Sequence, residues 1–371
     1  MSSPISSRTY GILPSGPAGA SRVVTAWTLT GRGGLELEVI TLGGIVTRIL
    51  APGRNGTRDD VVLGFNNLDA YLAGHPYFGA ITGRVAGRIG GAAFAIDGTT
   101  FPLAANDPPN HLHGGVCGFD KRIWNALPVD HEDGAPSLQL TYTSPHGEEG
   151  YPGNVEVQVT YTVTHDNVFL IESEATTDRA TTLNLTHHSY FNLSGEGSGP
   201  VSGHQLQIFA GEFFPAGDRM ALTGLRKPVE ESNNFLESRR FGDAIPHLFH
   251  RHGDLYALPQ HARGELALAA RLSEPASGRV LTVSTTNTCL QLYSGVHLDG
   301  SLRGKSGAPY APHAGLCLEC QGYPDASDVA LRDGTILYPG RTQRHTSAYA
   351  FSVDAAPPAG PQRNVLQPSW E

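Results

Sequence analysis

Apolar and polar residues alternate at a spacing of two along much of this chain. In Val155-Glu156-Val157-Gln158-Val159-Thr160-Tyr161-Thr162-Val163 every odd position is apolar. Leu35-Glu36-Leu37-Glu38-Val39 repeats the pattern, and Leu138, Leu140 and Tyr142 form a shorter set. Successive strand side chains point to opposite faces, so this period marks strands with one buried face. Asp97-Gly98 sits between two strand-like flanks as a hairpin turn, and Asp166-Asn167 marks another turn. Helical periodicity is scarce; Asn67 to Ala73 predicts one or two turns. Short strands separated by Gly, Pro, Asn and Asp predict an all-β protein, a single large antiparallel β-sandwich. Neither a solenoid repeat nor a central linker divides the chain. Residues 1–371 therefore read as one domain, with a core over about 20–352 and irregular N- and C-terminal tails.

Three segments set a chemically useful polar residue among leucines. They are Leu183-Asn184-Leu185-Thr186-His187-His188, Leu290-Gln291-Leu292 and Leu316-Cys317-Leu318-Glu319. If the leucines face the core, His188, Gln291 and Glu319 stand on the other face of their strands. An acid and a base there would cradle a small polar ligand. A carboxylate among leucines and cysteines is costly to bury alone, so Glu319 needs a cationic partner or a ligand. Arg84 and Arg88 are candidate partners or hydroxyl donors. Asn110-His111-Leu112-His113-Gly114-Gly115 adds two histidines and a glycine pair that permits a sharp turn. Asn184, Thr186 and His188 share a polar face suited to sugar hydroxyls. For His188 alone, an ordinary hydrogen-bonded core histidine remains the alternative. No metal is expected: His187 and His188 face opposite ways, and His-x-His needs a third ligand.

Composition narrows the field. At 371 residues and 39% hydrophobic content, the chain can bury a sizeable core. Its net charge of −9 argues against nucleic acid or an anionic membrane as partner. Cys117, Cys289, Cys317 and Cys320 form no disulfide framework in so long a chain, and Cys317 and Cys320 read as ordinary buried thiols. Met1 to Ser21 lacks an apolar signal core, and no run approaches the ~20 apolar residues of a membrane helix. The reading is a cytoplasmic protein with reduced thiols.

Taken together, six segments resemble the aldose 1-epimerase (galactose mutarotase) family. They are Gly83-Arg84-Val85-Ala86-Gly87-Arg88-Ile89, Leu112-His113-Gly114-Gly115 with Gly118-Phe119-Asp120-Lys121, Gly147 to Gly153, Thr186 to Leu193, Leu298-Asp299-Gly300, and Leu318-Glu319-Cys320-Gln321 with Pro324-Asp325-Ala326. They run in the family's order. The resemblance implies a galactose mutarotase-like supersandwich with the sugar in an open cleft. It implies Glu319 as general base, His188 as general acid and His113 near the ring oxygen, with Arg88 and Gln291 binding the sugar. The family's hydroxyl-holding aspartate matches best at Asp254. Three departures bear on sugar preference: Gly87 and His187 each stand where Asn is common, and Ser327-Asp328-Val329-Ala330 replaces the usual Asn- and Pro-containing segment.

The resemblance thus implies an isomerase that interconverts the α and β anomers of free aldoses such as D-glucose and D-galactose. It would need no cofactor, since neither redox nor group transfer occurs, and would act as a monomer or weak homodimer. Two alternatives stand beside it. A sugar-phosphate epimerase would want a basic cluster; the lysines are only Lys121, Lys227 and Lys305, and the other basic residues are scattered arginines. A catalytically inactive carbohydrate-binding β-sandwich would not need Glu319 and His188 together.

Overall fold

The computed structural model describes residues 4–13, 21–217, 219–259, 264–325 and 334–355. Three antiparallel sheets dominate it. An N-terminal five-stranded sheet runs in sequence order from Ile5–Leu13 to Arg58–Asp60. A nine-stranded sheet has the order Asn125–Val129, Ser137–Ser144, Val155–Val163, Val168–Thr177, Gln343–Val353, Arg279–Thr285, Ala267–Ser273, Gln205–Ile208, Arg239–Arg240. A second five-stranded sheet has the order Lys227–Pro228, Glu212–Phe214, Leu255–Ala257, Cys289–Tyr293, Cys317–Gln321. One core cluster draws on all three: Leu37 and Ile49 from the first, Val159 and Tyr349 from the second, and Leu290, Leu292 and Leu318 from the third. Among the described residues no helix is long and apolar enough to cross a membrane.

Local chemistry accounts for the elements. In Val155–Val163 the odd residues are buried at 0–3% exposure, while Glu156, Gln158 and Thr160 turn outward. Asp97 and Gly98 both take positive φ (50° and 80°), the requirement of the tightest hairpin turn. Asn67 caps the helix Leu68–Leu72 by accepting the Ala70 N–H.

Two readings are corrected. Ile5–Leu13, expected within an irregular tail, is a strand paired with Arg22–Thr30. An edge strand buries little, so its mostly polar sequence carries no period-two signal. Its Arg8 ion-pairs with Glu38 at 2.7 Å. Arg84, weighed as a sugar contact, is 2% exposed and donates to Ser144 Oγ and to the carbonyls of Ser144, Pro145, Pro152 and Gly153. It is a clamp on the Gly147–Gly153 loop. That loop in turn positions the site, because Glu149 accepts the Val116 and Cys117 N–H groups. The C-terminal tail, from residue 356 on, lies outside the described residues.

Truncating Arg84 orphans several buried carbonyls at once. Arg84→Met is expected to lower the unfolding free energy by about 3–5 kcal/mol, read by urea denaturation. A loss under about 1 kcal/mol would contradict the clamp.

Candidate active site

Strand alternation does for Glu319 what the leucines predict. Leu290, Leu292, Leu318 and Cys320 join the core, while Gln291 and Glu319, cross-strand partners, share the opposite face. Glu319 is nonetheless 2% exposed, because loops close over that face. Its Oε1 lies 3.6 Å from His188 Nε2, and its Oε2 has no hydrogen-bond partner.

His188 follows the short strand Thr186–His187 and is tied by backbone bonds to Gly79 and Ala80. The rings of Tyr77 and Tyr190 stack on it at 5.7 and 5.2 Å, and Cys317 Sγ sits 3.5 Å from its Nδ1. His187 points the other way, into the core against Tyr161, Phe169 and Tyr349, with Nε2 on Ser189 Oγ at 2.7 Å. The His187 departure therefore lies on the face opposite His188.

His113 enters from the loop after His111–Leu112, a two-residue strand paired with Arg88–Ile89. The next residue must be glycine: a Cβ on Gly114 would fall 1.7 Å from the Gly83 carbonyl oxygen. His113 itself is held at φ +49° by donating its N–H to Gly87 O and accepting the Gly87 N–H on Nδ1 at 3.2 Å. With Nδ1 accepting, the other ring nitrogen of a neutral His113 carries the hydrogen and is a fixed donor. Gly87 leaves little room at its own position: a Cβ there would approach Pro324 at 3.1 Å and Gln321 Nε2 at 3.2 Å. Gln321, on the same face as Glu319, is buried with an unpartnered Oε1.

Arg88 is locked by Asp107, Nε to Oδ2 at 2.6 Å. Beyond it lies an open cavity of ≈540 Å³ walled by Arg88, Asp107, Arg219 and His297. A void of ≈30 Å³ behind His187 and Cys320 lies on the core side and is separate from this cleft.

The structure thus brings Glu319, His188, His113, Arg88 and Gln291 to one side of the sheet. It does not bring Asp254 there. Leu255 pairs with Gln291 and so shares Glu319's face, which turns Asp254 toward the core side with Tyr256. Its carboxylate accepts Asn233 Nδ2 at 3.0 Å, and Tyr256 Oη donates to Asn233 O. Tyr77 and His252 belong to the site, though no period marks them: Tyr77 is 4.6 Å ring to ring from His113, and His252 is 4.6 Å from Tyr293. The Ser327–Ala330 departure lies outside the described residues.

Burial governs the charges. It pushes Glu319 up to about 8, opposed by the Arg88 field, and pushes His188 down to about 4. His113 falls well below its usual range for the same reason, with the positive charge of His188 and Arg88 adding to it. The site therefore favours neutral forms of both groups; the enclosing tyrosines remove the water that would solvate an imidazolium.

His113, His188 and Glu319 offer ligand atoms all within 4.8 Å. A metal ion would need a lone pair on each histidine, but the Gly87 N–H occupies the one on His113 Nδ1. The cluster is shaped for protons rather than for a cation: a buried acid and a base 3.6 Å apart, with a fixed donor and an arginine nearby.

An all-β sandwich with this site defines an acid–base enzyme for a small polar ligand. The comparisons make the family specific. The aldose 1-epimerase family profile matches residues 25–350. The human galactose mutarotase is 39% identical over 346 residues, covering 93% of this chain and 97% of that one. The Escherichia coli aldose 1-epimerase is 32% identical over 335 residues, 88% of this chain and 95% of its own. The crystal structure of an aldose epimerase homologue from Caenorhabditis elegans superposes with a TM-score of 0.81 at 28% identity, over 88% of this chain and 98% of that one. The chain belongs to the aldose 1-epimerase family.

Glu319 holds a proton in the folded state that it releases in the unfolded state between its ordinary value of 4.5 and about 8. Folded-state stability therefore falls as pH rises across that window. The depressed histidines act oppositely and only below about pH 6.5, so they do not offset the Glu319 effect above it. Between pH 6.5 and 8 the wild type is expected to lose about 1–2 kcal/mol relative to Glu319→Gln. Parallel pH dependences of the two proteins in chemical denaturation would show that Glu319 is not buried as described.

Proposed function

We propose that this chain is a mutarotase whose proton traffic runs between Glu319 and His188. It interconverts the α and β anomers of free aldoses, with D-glucose and D-galactose the first candidates. The observation that carries the assignment is the 3.6 Å approach of two buried titratable groups, Glu319 and His188. Glu319 takes the proton of the C1 hydroxyl while His188 protonates the ring oxygen. The ring opens to the aldehyde, the C1–C2 bond turns, and the same groups close it on the other face. His113, a fixed donor, supports the ring oxygen. Arg88, oriented by Asp107, and Gln291 hold hydroxyls.

The neutral resting pair suits this reversibility. Protonated Glu319 with neutral His188 holds one proton, and so does the charge-separated pair that begins ring opening. A bound sugar needs only to redistribute that proton, not to import one. The joint presence of Glu319 and His188 favours an enzyme over a binding-only sandwich. We further read the chain as one catalytic domain, a cytoplasmic monomer or weak homodimer whose partner is a monosaccharide.

Polarimetry of freshly dissolved α-D-glucose and α-D-galactose tests this reading. The protein is expected to speed the approach to the same final rotation. Glu319→Gln should lose about 10²–10⁴-fold in kcat; near-normal turnover in that variant would remove Glu319 from the chemistry. Since one proton is shared from about pH 4 to about 8, kcat/KM should stay nearly flat between those limits and fall above 8. A steady rise through pH 6–8 would mean that the singly protonated pair is not the working form.

A further inference from the structure

Asp254 leaves the site without the carboxylate that the resemblance assigns to sugar hydroxyls, and His252 stands two residues before it. The chain turns sharply just before Leu255–Ala257. Gly253 sits at φ +111°, and a Cβ there would lie 2.4 Å from Leu292 O. The preceding residue, His252, lies beside His297, which borders the cleft. The His252 ring packs 4.6 Å from Tyr293 and 6.0 Å from His297, and its carbonyl accepts the Ser294 N–H at 2.7 Å. Tyr293 stands on the same strand face as Gln291 and 6.5 Å from the His188 ring. His252 also lies within the fields of Arg88 and His188, whereas Asp254 answers to Asn233 and Glu230.

The imidazole has a defined polarity. Nδ1 lies 3.2 Å from the Gly253 carbonyl oxygen, which can only accept, so Nδ1 carries the hydrogen. Burial and the nearby positive charges keep the ring neutral at ordinary pH. Nε2 is therefore a lone-pair acceptor. An acceptor on the wall of a sugar cleft is matched by a hydroxyl that donates to it, which is what a carboxylate would offer with more lone pairs and a charge.

We propose that His252 is a specificity-determining residue of the sugar subsite, accepting a hydrogen bond from one ring hydroxyl through Nε2 in the role the resemblance gives to an aspartate. The assignment rests on the mutarotase reading above. A single neutral acceptor reads one hydroxyl at a time, so the preference among aldoses depends on whether that hydroxyl is present and on which side of the ring it lies.

The test compares wild type, His252→Leu and His252→Gln on D-glucose, D-galactose and their 2-deoxy and 3-deoxy analogues by polarimetry. The leucine fills the ring's space without an acceptor, while the glutamine restores one. His252→Leu should raise KM for the parent sugars about 3- to 10-fold with a smaller change in kcat. It should also erase the wild-type disadvantage of one deoxy analogue, and His252→Gln should recover part of that discrimination. Equal losses for every sugar, or unchanged KM, would overturn the assignment and leave His252 a packing residue. If wild type accelerates no aldose, the mutarotase reading fails. Calorimetric titration of the same sugars into the same three proteins then decides His252: loss of discrimination in the leucine variant supports it, and identical affinities or no sugar binding overturn it.

Discussion

Leu290, Leu292 and Leu318 press one face of a two-strand unit into the core shared by all three sheets. Everything at the site depends on that contact. A strand cannot bury both faces in the same core, so seating the leucines drives Gln291 and Glu319 to the outer face in register with each other. Slipping either strand by one residue would put the carboxylate into the hydrocarbon core and a leucine into the cleft. Each buried leucine contributes about 1.5–3 kcal/mol, so the register is held by several times the thermal energy.

The outer face then has to be closed, and this is done by loops rather than by another sheet. Those loops rest on buried polar anchors. Arg84 collects the carbonyls of Ser144, Pro145, Pro152 and Gly153 on both sides of one turn, Glu149 takes two N–H groups of the turn after His113, and Gly87 exchanges two hydrogen bonds with His113. Each anchor satisfies backbone groups that would otherwise be orphaned. His113 is placed by this scaffold, and its tautomer is set by a backbone N–H.

The same closure sets the proton chemistry. Two tyrosine rings on His188 and the leucine-lined strand under Glu319 remove water from both groups. Burial disfavours the imidazolium and the carboxylate alike, so the pair is poised as neutral acid and neutral base. An incoming sugar would bring dipoles that exchange with either group, and neither is locked in one state by a strong partner. Arg88 tempers the effect on Glu319, and Asp107 holds Arg88 in turn.

Reading the sequence alone reached the sandwich, because the period of two is a local property of each strand and survives without knowing its neighbours. It also separated the faces of His187 and His188, and placed Glu319 opposite its leucines, by the same rule. It failed where the answer depends on distant segments. Ile5–Leu13 is an edge strand with little burial, so no periodic signal exists to find. Arg84 and Arg88 stand four residues apart in one motif, yet one is swallowed by carbonyls from residues 144–153 while the other meets Asp107. Asp254 turns to Asn233 on the core side because Gly253 turns the chain at a positive φ, where a side chain would meet Leu292 O. The periodicity of each strand was thus legible in the chain itself; which loop residues share a cavity, and which buried groups lose their charge, was decided only when the sheets packed and excluded water.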